Sequence, residues 1–277
     1  MDGRVPHRSR VGLWEPFNLI TRRANRDRVP KRRPSRTNAR EMDIRATWET
    51  ARVEIAKSVS KALDEYEAGD IESALLHACN AVDGTARKTY GAQLGAGARF
   101  TRMLRDNHLI LGPMGAPGLD ILTQRFPGFI EKGTTPDKEP DLADLIYTIH
   151  RCAHAHGDQI PFGYELLPVA DLGPRLTHMR IEYDWIQLSV RIVPALVAVA
   201  VLAPVNATLS IGGDYWLSYS LTKMPSQDWW GEADKFPALV ATDPPPVGIT
   251  YAFEGKGAQS VNDADAPEPS STEEVAG

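Results

Sequence analysis

Cysteine is almost missing from this chain. Its two residues, Cys79 and Cys152, stand 73 positions apart, which leaves neither a disulfide framework nor a cysteine zinc cluster and fits a reducing cytoplasm. Long apolar runs are missing too. The longest, "IVPALVAVAVLAPV" at 192–205, holds Pro194 and Pro204 and falls short of the ~20 residues of a membrane span. It reads as a buried amphipathic helix, and no membrane partner is expected. No G-x-S-x-G elbow offers a serine nucleophile. The glycines of "GAQLGAG" at 91–97 lack the Lys-Ser/Thr of a P-loop and follow a helix rather than a strand. No internal repeat is visible, and no cofactor is implied.

What is present suits a water-exposed globular body: 42% apolar residues for a core and 24% charged residues for a surface. The charge is unevenly spread. Residues 1–45 carry thirteen Lys/Arg against five acids, and the remainder carries eighteen against thirty-one, so +8 and −13 sum to the net −5. Attraction for nucleic acid would sit mainly in the first segment. That segment, with "TRRANRDRVPKRRPSRTNAR" at its centre, lacks apolar periodicity and is expected to be disordered. It reads as a phosphate-gripping arm, a solvated tail, an Arg-rich transit peptide, or residues ahead of a natural start at Met42.

Helical periodicity begins at Met42. Ile44, Trp48, Ile55, Val59, Leu63 and Tyr66 share one helix face; Gly69 ends that helix and Asp70 caps the next. On the second helix Ile71, Leu75, Ala78, Val82 and Thr85 form a stripe, and Ala74 and Gly84 would let a neighbouring helix come close. A third helix is expected over 98–111, then a long Pro/Gly-rich loop to 140. Pro140 and Asp141 open "DLADLIYTIHRCAHAHG" at 141–157, where Leu142, Leu145, Ile149, Cys152 and His156 form a narrow seam suited to another helix, or to that of a second subunit. One further helix is expected over 172–203, kinked or divided by Pro194. "ATLSIGGDYWLSYSLT" from 207 alternates around Gly-Gly-Asp as a β-hairpin would, exposing Leu209, Ile211, Trp216 and Leu217 to packing on the helices. A weaker strand follows at 247–253. The expected fold class is mainly α: a basic arm (1–41), a helical domain (42–203), a β-hairpin extension (204–253) and a disordered acidic tail (254–277).

The chemistry concentrates in "HRCAHAHGD" at 150–158. His150 and His154 are four apart and would face the same way on a helix, with Cys152 or His156 as a third donor for zinc. The spacing is not an established ligand pattern, and no metal is expected. Cys152 lies mid-helix without an identifiable base partner. Arg151 and His156 leave a third pattern, R-x4-H at a helix end. They lie five positions apart, which turns them about 140° from each other around an ideal helix. Arginine's reach, fraying after His156, or a second copy of the motif would have to close that angle. Arg151 paired with Asp144 or Asp158, with His156 packed in the seam, is the plain structural alternative.

With "LIYTIHRCAHAHGD" as the motif and "SALLHACNAVDGTARKTYG" as the helix before it, residues 45–200 resemble the HEPN family, the higher eukaryote and prokaryote nucleotide-binding domains. The resemblance implies an up-and-down helical bundle that dimerises through the 141–157 helix. It further implies a metal-independent endoribonuclease, of the kind found among toxins and in phage defence. His156 would exchange a proton with the RNA 2′-hydroxyl or the leaving oxygen, and Arg151 would stabilise charge on the phosphate. Non-catalytic HEPN-like modules that bind or assemble are the other member type.

Overall fold

The computed structural model describes residues 39–126, 133–149, 164–167, 179–182, 185–219, 222–242 and 251–254. Its class is mainly α. The opening hairpin pairs α1 (Ala39–Ala68) with α2 (Ile71–Tyr90), and the break between them follows from local chemistry. Gly69 takes φ +82°, a conformation that costs glycine little. Asp70 then caps α2 by accepting from the Ser73 amide at 3.0 Å. Ile55, Val59 and Leu63 of α1 are buried against Leu75, Ala78 and Val82 of α2.

The small residues of α2 serve close packing. A Cβ at Gly84 would stand 2.8 Å from Ile55 Cγ1, inside any ordinary contact distance. Gly84→Val should therefore lower stability by about 1–3 kcal/mol through overpacking, more than the helix-propensity gain of up to ~1 kcal/mol offsets. Urea titration would show a lower midpoint, and adding Ile55→Ala should recover part of the loss.

The expected third helix is two. α3 (Ala96–Asp106) breaks at Asn107, whose side chain donates to the Met103 carbonyl at 2.8 Å, and α4 (His108–Gly115) follows. α4 takes in Pro113 and enters the stretch expected as loop. The carbonyl that Pro113 leaves without a helical donor is that of Leu109, an exposed residue. α5 (Leu142–Ile149) begins where Asp141 was expected to open a helix, and the rest of the expected 141–157 helix lies outside the described residues.

At the centre lies α6 (Ile192–Leu202), with all eleven residues buried. It packs on α1, α2 and α4, so it is apolar all round rather than amphipathic, as a helix enclosed on every side must be. Pro194 neither kinks nor divides it, because it sits in the first turn, where a missing N–H costs nothing.

The helix expected over 172–203 is corrected in its first part. β2 (Met179–Glu182) and β3 (Ile186–Ser189) precede α6. Ile186, Leu188 and Val190 step by two, the strand period. That alternation was hidden because β3 is buried on both faces. A four-stranded sheet runs β1–β3–β2–β6, with β1 (Tyr164–Leu167) and β6 (Tyr251–Glu254) at its edges. β1 is parallel to β3, β3 antiparallel to β2, and β2 parallel to β6. The strand expected at 247–253 is β6, displaced a few residues along the chain.

The hairpin is displaced too. β4 (Trp216–Tyr219) pairs with β5 (Thr222–Pro225), so Gly212–Asp214 precedes the hairpin instead of turning it. The segment before those glycines is already engaged. Asn206 is buried and donates to Thr85 Oγ1 at 2.9 Å and to the Ala200 carbonyl at 2.8 Å, while Lys88 donates to the Val205 carbonyl at 2.5 Å. As expected, the hairpin lies on the helices. Leu217, Tyr219 and Met224 are buried, and Tyr215 donates to Asp64 of α1 at 2.9 Å. Short helices α7 (Ser226–Trp229) and α8 (Phe236–Thr242) complete the chain's packing, with the Phe236 ring edge-on to Tyr219.

Candidate functional site

Arg151 and His156, with His150, Cys152 and His154, lie outside the described residues. The described residues do contain the helix that precedes them in sequence: α5 is described as far as Ile149, two positions before Arg151. Its apolar seam is occupied. Leu142, Leu145 and Ile149 are buried by the chain itself, with α3 packed alongside. The remaining seam positions, Cys152 and His156, lie outside the described residues.

The start of α5 is held by an ionic cluster that sequence reading did not identify. Asp141 and Asp144 cap the helix reciprocally: the Asp144 amide donates to Asp141 Oδ1 at 3.0 Å, and the Asp141 amide approaches Asp144 Oδ2 at 3.4 Å. Arg105 of α3 forks across both carboxylates. Its Nε lies 2.6 Å from Asp141 Oδ2, and its Nη2 lies 2.9 Å from both Asp141 Oδ1 and Asp144 Oδ2. Thr134 closes the cluster, donating to Asp144 through its amide at 3.1 Å and its hydroxyl at 2.5 Å, and accepting from Arg105 Nη1 at 2.9 Å.

Burial gives these contacts their weight. The Asp141 and Asp144 side chains are 1% and 4% exposed, and Arg105 is 20% exposed. Burial alone would push the Arg105 guanidinium's pKa down, but hydrogen bonds and charge from Asp141 and Asp144 outweigh it and hold the cation more firmly protonated. Asp144 is thus engaged by Arg105 and Thr134, and Arg151, its partner in the plain structural alternative, lies outside the described residues. The signal available in the sequence was "PDLAD", an aspartate pair three apart at a helix start. Nothing in it named Arg105, 36 and 39 positions away.

Further along α5, Tyr147 packs on the beginning of α3. Its ring centroid is 5.5 Å from that of Phe100, and a Cβ at Gly97 would meet the ring at 2.9 Å. The last glycine of "GAQLGAG" thus serves close helix packing. The arginines of α3 each face a carboxylate: Arg99 on Asp83, Arg102 on Asp106 and Arg105 on the aspartate pair. Cys79 is fully buried, which raises its thiol pKa and keeps it protonated. No group of three or more His, Cys, Asp or Glu among the described residues is placed to hold a metal ion. Nor is any helix among them long and apolar enough to cross a membrane.

No solved structure matches the chain. Curated relatives do: uncharacterised proteins of Mycobacterium tuberculosis (strain H37Rv; Rv1289) and Mycobacterium bovis (Mb1320), each 40% identical over 192 residues, covering 69% of this chain and 90% of the relative. The Rv1289 family model matches residues 54–254, from the second half of α1 through β6, and the chain belongs to the Rv1289 family.

Proposed function

We propose that the chain is a metal-independent endoribonuclease of HEPN type, with Arg151 and His156 as its catalytic pair. The supporting observation is the setting of the motif: α5 packs on α3 beside the α1–α2 hairpin and runs to Ile149, so R-x4-H follows directly from an anchored helix. RNA would enter where two copies of the motif meet, and the homodimer would form through the part of the 141–157 helix beyond Ile149. His156 would take the 2′-hydroxyl proton or return one to the leaving oxygen, because imidazole titrates near neutral pH. Arg151 would fork onto the phosphate oxygens as charge develops there. A toxin or phage-defence role goes with that activity.

The second reading is a non-catalytic interaction module, favoured by the α3 arginines, each already opposite an aspartate. A surface whose cations are neutralised attracts RNA weakly. Labelled single-stranded RNA incubated with the full chain in EDTA separates the two. The nuclease reading expects cleavage that falls by about 100-fold or more in His156→Ala and in Arg151→Ala, within the range removed with one general acid–base or charge-stabilising group. Cleavage indifferent to both substitutions removes the pair from the chemistry, and intact RNA with every variant favours the module.

A further inference from the structure

We infer that the turn at residues 133–140 and the first turn of α5 form one conformational unit, clasped by Thr134, Asp144 and Arg105, through which an event on the exposed turn is transmitted to α5. The turn is closed on itself. The Gly133 amide donates to the Lys138 carbonyl at 2.8 Å, the Lys138 amide to the Thr135 carbonyl at 3.1 Å, and the Glu139 amide to Asp137 Oδ1 at 3.2 Å. Gly133 could carry no side chain there, since a Cβ would fall 2.6 Å from the Glu139 carbonyl oxygen. So knotted a segment moves as a body.

Its outer residues, Pro136 to Glu139, are exposed, and its hydrogen bonds to α5 come from Thr134, which also meets Thr101 Oγ1 of α3 at 3.0 Å. Thr134 supplies Asp144 with both an amide and a hydroxyl donor and takes a third hydrogen bond from Arg105. Asp144 is in turn part of the reciprocal cap of α5. Pulling the turn away strips two donors from a carboxylate that is 4% exposed, and a buried carboxylate short of donors is costly. Its relief is to reorganise the helix start that it caps. A second tether, Arg125 to Asp137 at 2.9 Å, lies at the surface outside the clasp.

Hydrogen exchange of the full chain tests the coupling without any assay of RNA cleavage, so its failure would leave the R-x4-H reading standing, and the reverse holds too. In Thr134→Val, amides of both 133–140 and 142–149 should exchange about tenfold faster, with α2 unchanged as the internal control. Arg105→Lys, which keeps the charge and loses the fork, should loosen the same two segments together. Asp137→Ala, which cuts the surface tether and one bond inside the turn but leaves the Thr134 clasp in place, should leave α5 at wild-type protection. The inference is overturned if the turn loosens while α5 does not, if neither segment responds to Thr134→Val, or if Asp137→Ala loosens α5 as much as Thr134→Val does.

Discussion

Replacing Arg105 with leucine should cost about 3–5 kcal/mol, the range seen when one partner of a buried ion pair is removed. The reason lies in what remains. Asp141 and Asp144 are 1% and 4% exposed, so the substitution leaves two carboxylates with Thr134 and helix amides as their nearby donors. In a chain of this size each kcal/mol is worth roughly 2–4 °C, so a thermal scan should show the midpoint falling by roughly 6–20 °C. The pair is not expected to be additive. With Arg105→Leu already present, Asp144→Leu should cost far less than it does alone, because it removes a charge that has lost its partner. Losses that simply add would mean that Arg105 contributes by its packing and not by its charge.

A second substitution should be more severe. Ala198 lies midway along α6 and is wholly buried. Ala198→Asp places a carboxylate where the neighbouring helices present apolar surface. The effective penalty is several kcal/mol per ion, comparable with the ~5–15 kcal/mol of net stability that a folded domain holds. The expected result is a chain without cooperative unfolding, with its near-ultraviolet dichroism lost and its protein recovered as aggregate. Ala198→Ser is the control, since a hydroxyl in a helix can donate to the carbonyl four residues back. Folding of both variants would show that α6 is less tightly enclosed than described.

Sequence served well where local chemistry decides structure. The α1–α2 boundary at Gly69 and Asp70 rests on a left-handed glycine and a capping carboxylate, both readable from residue type alone. Gly84 was readable as a close-approach site because small residues sit on one stripe. Strand β3 escaped because burial on both faces removes the polar alternation that marks a strand. The hairpin was misplaced because Asn206 ties the residues ahead of Gly212 to α2 and α6, and such side-chain bonds span 121 positions. The Arg105 cluster was illegible for the same reason: neither aspartate reveals which distant guanidinium will reach it.

The enclosure of α6 bears on the order in which the chain is made. Its packing surfaces on α1, α2 and α4 all leave the ribosome first, yet the element that fills the space between them emerges only once residues 192–202 have been synthesised. Tyr215 must then reach back 151 positions to Asp64. Until that late stage the earlier helices carry uncovered apolar faces, and closure depends on contacts of long sequence separation, which form slowly. Throughout that interval the nascent chain presents sticky surface to its neighbours, the condition under which aggregation competes with folding.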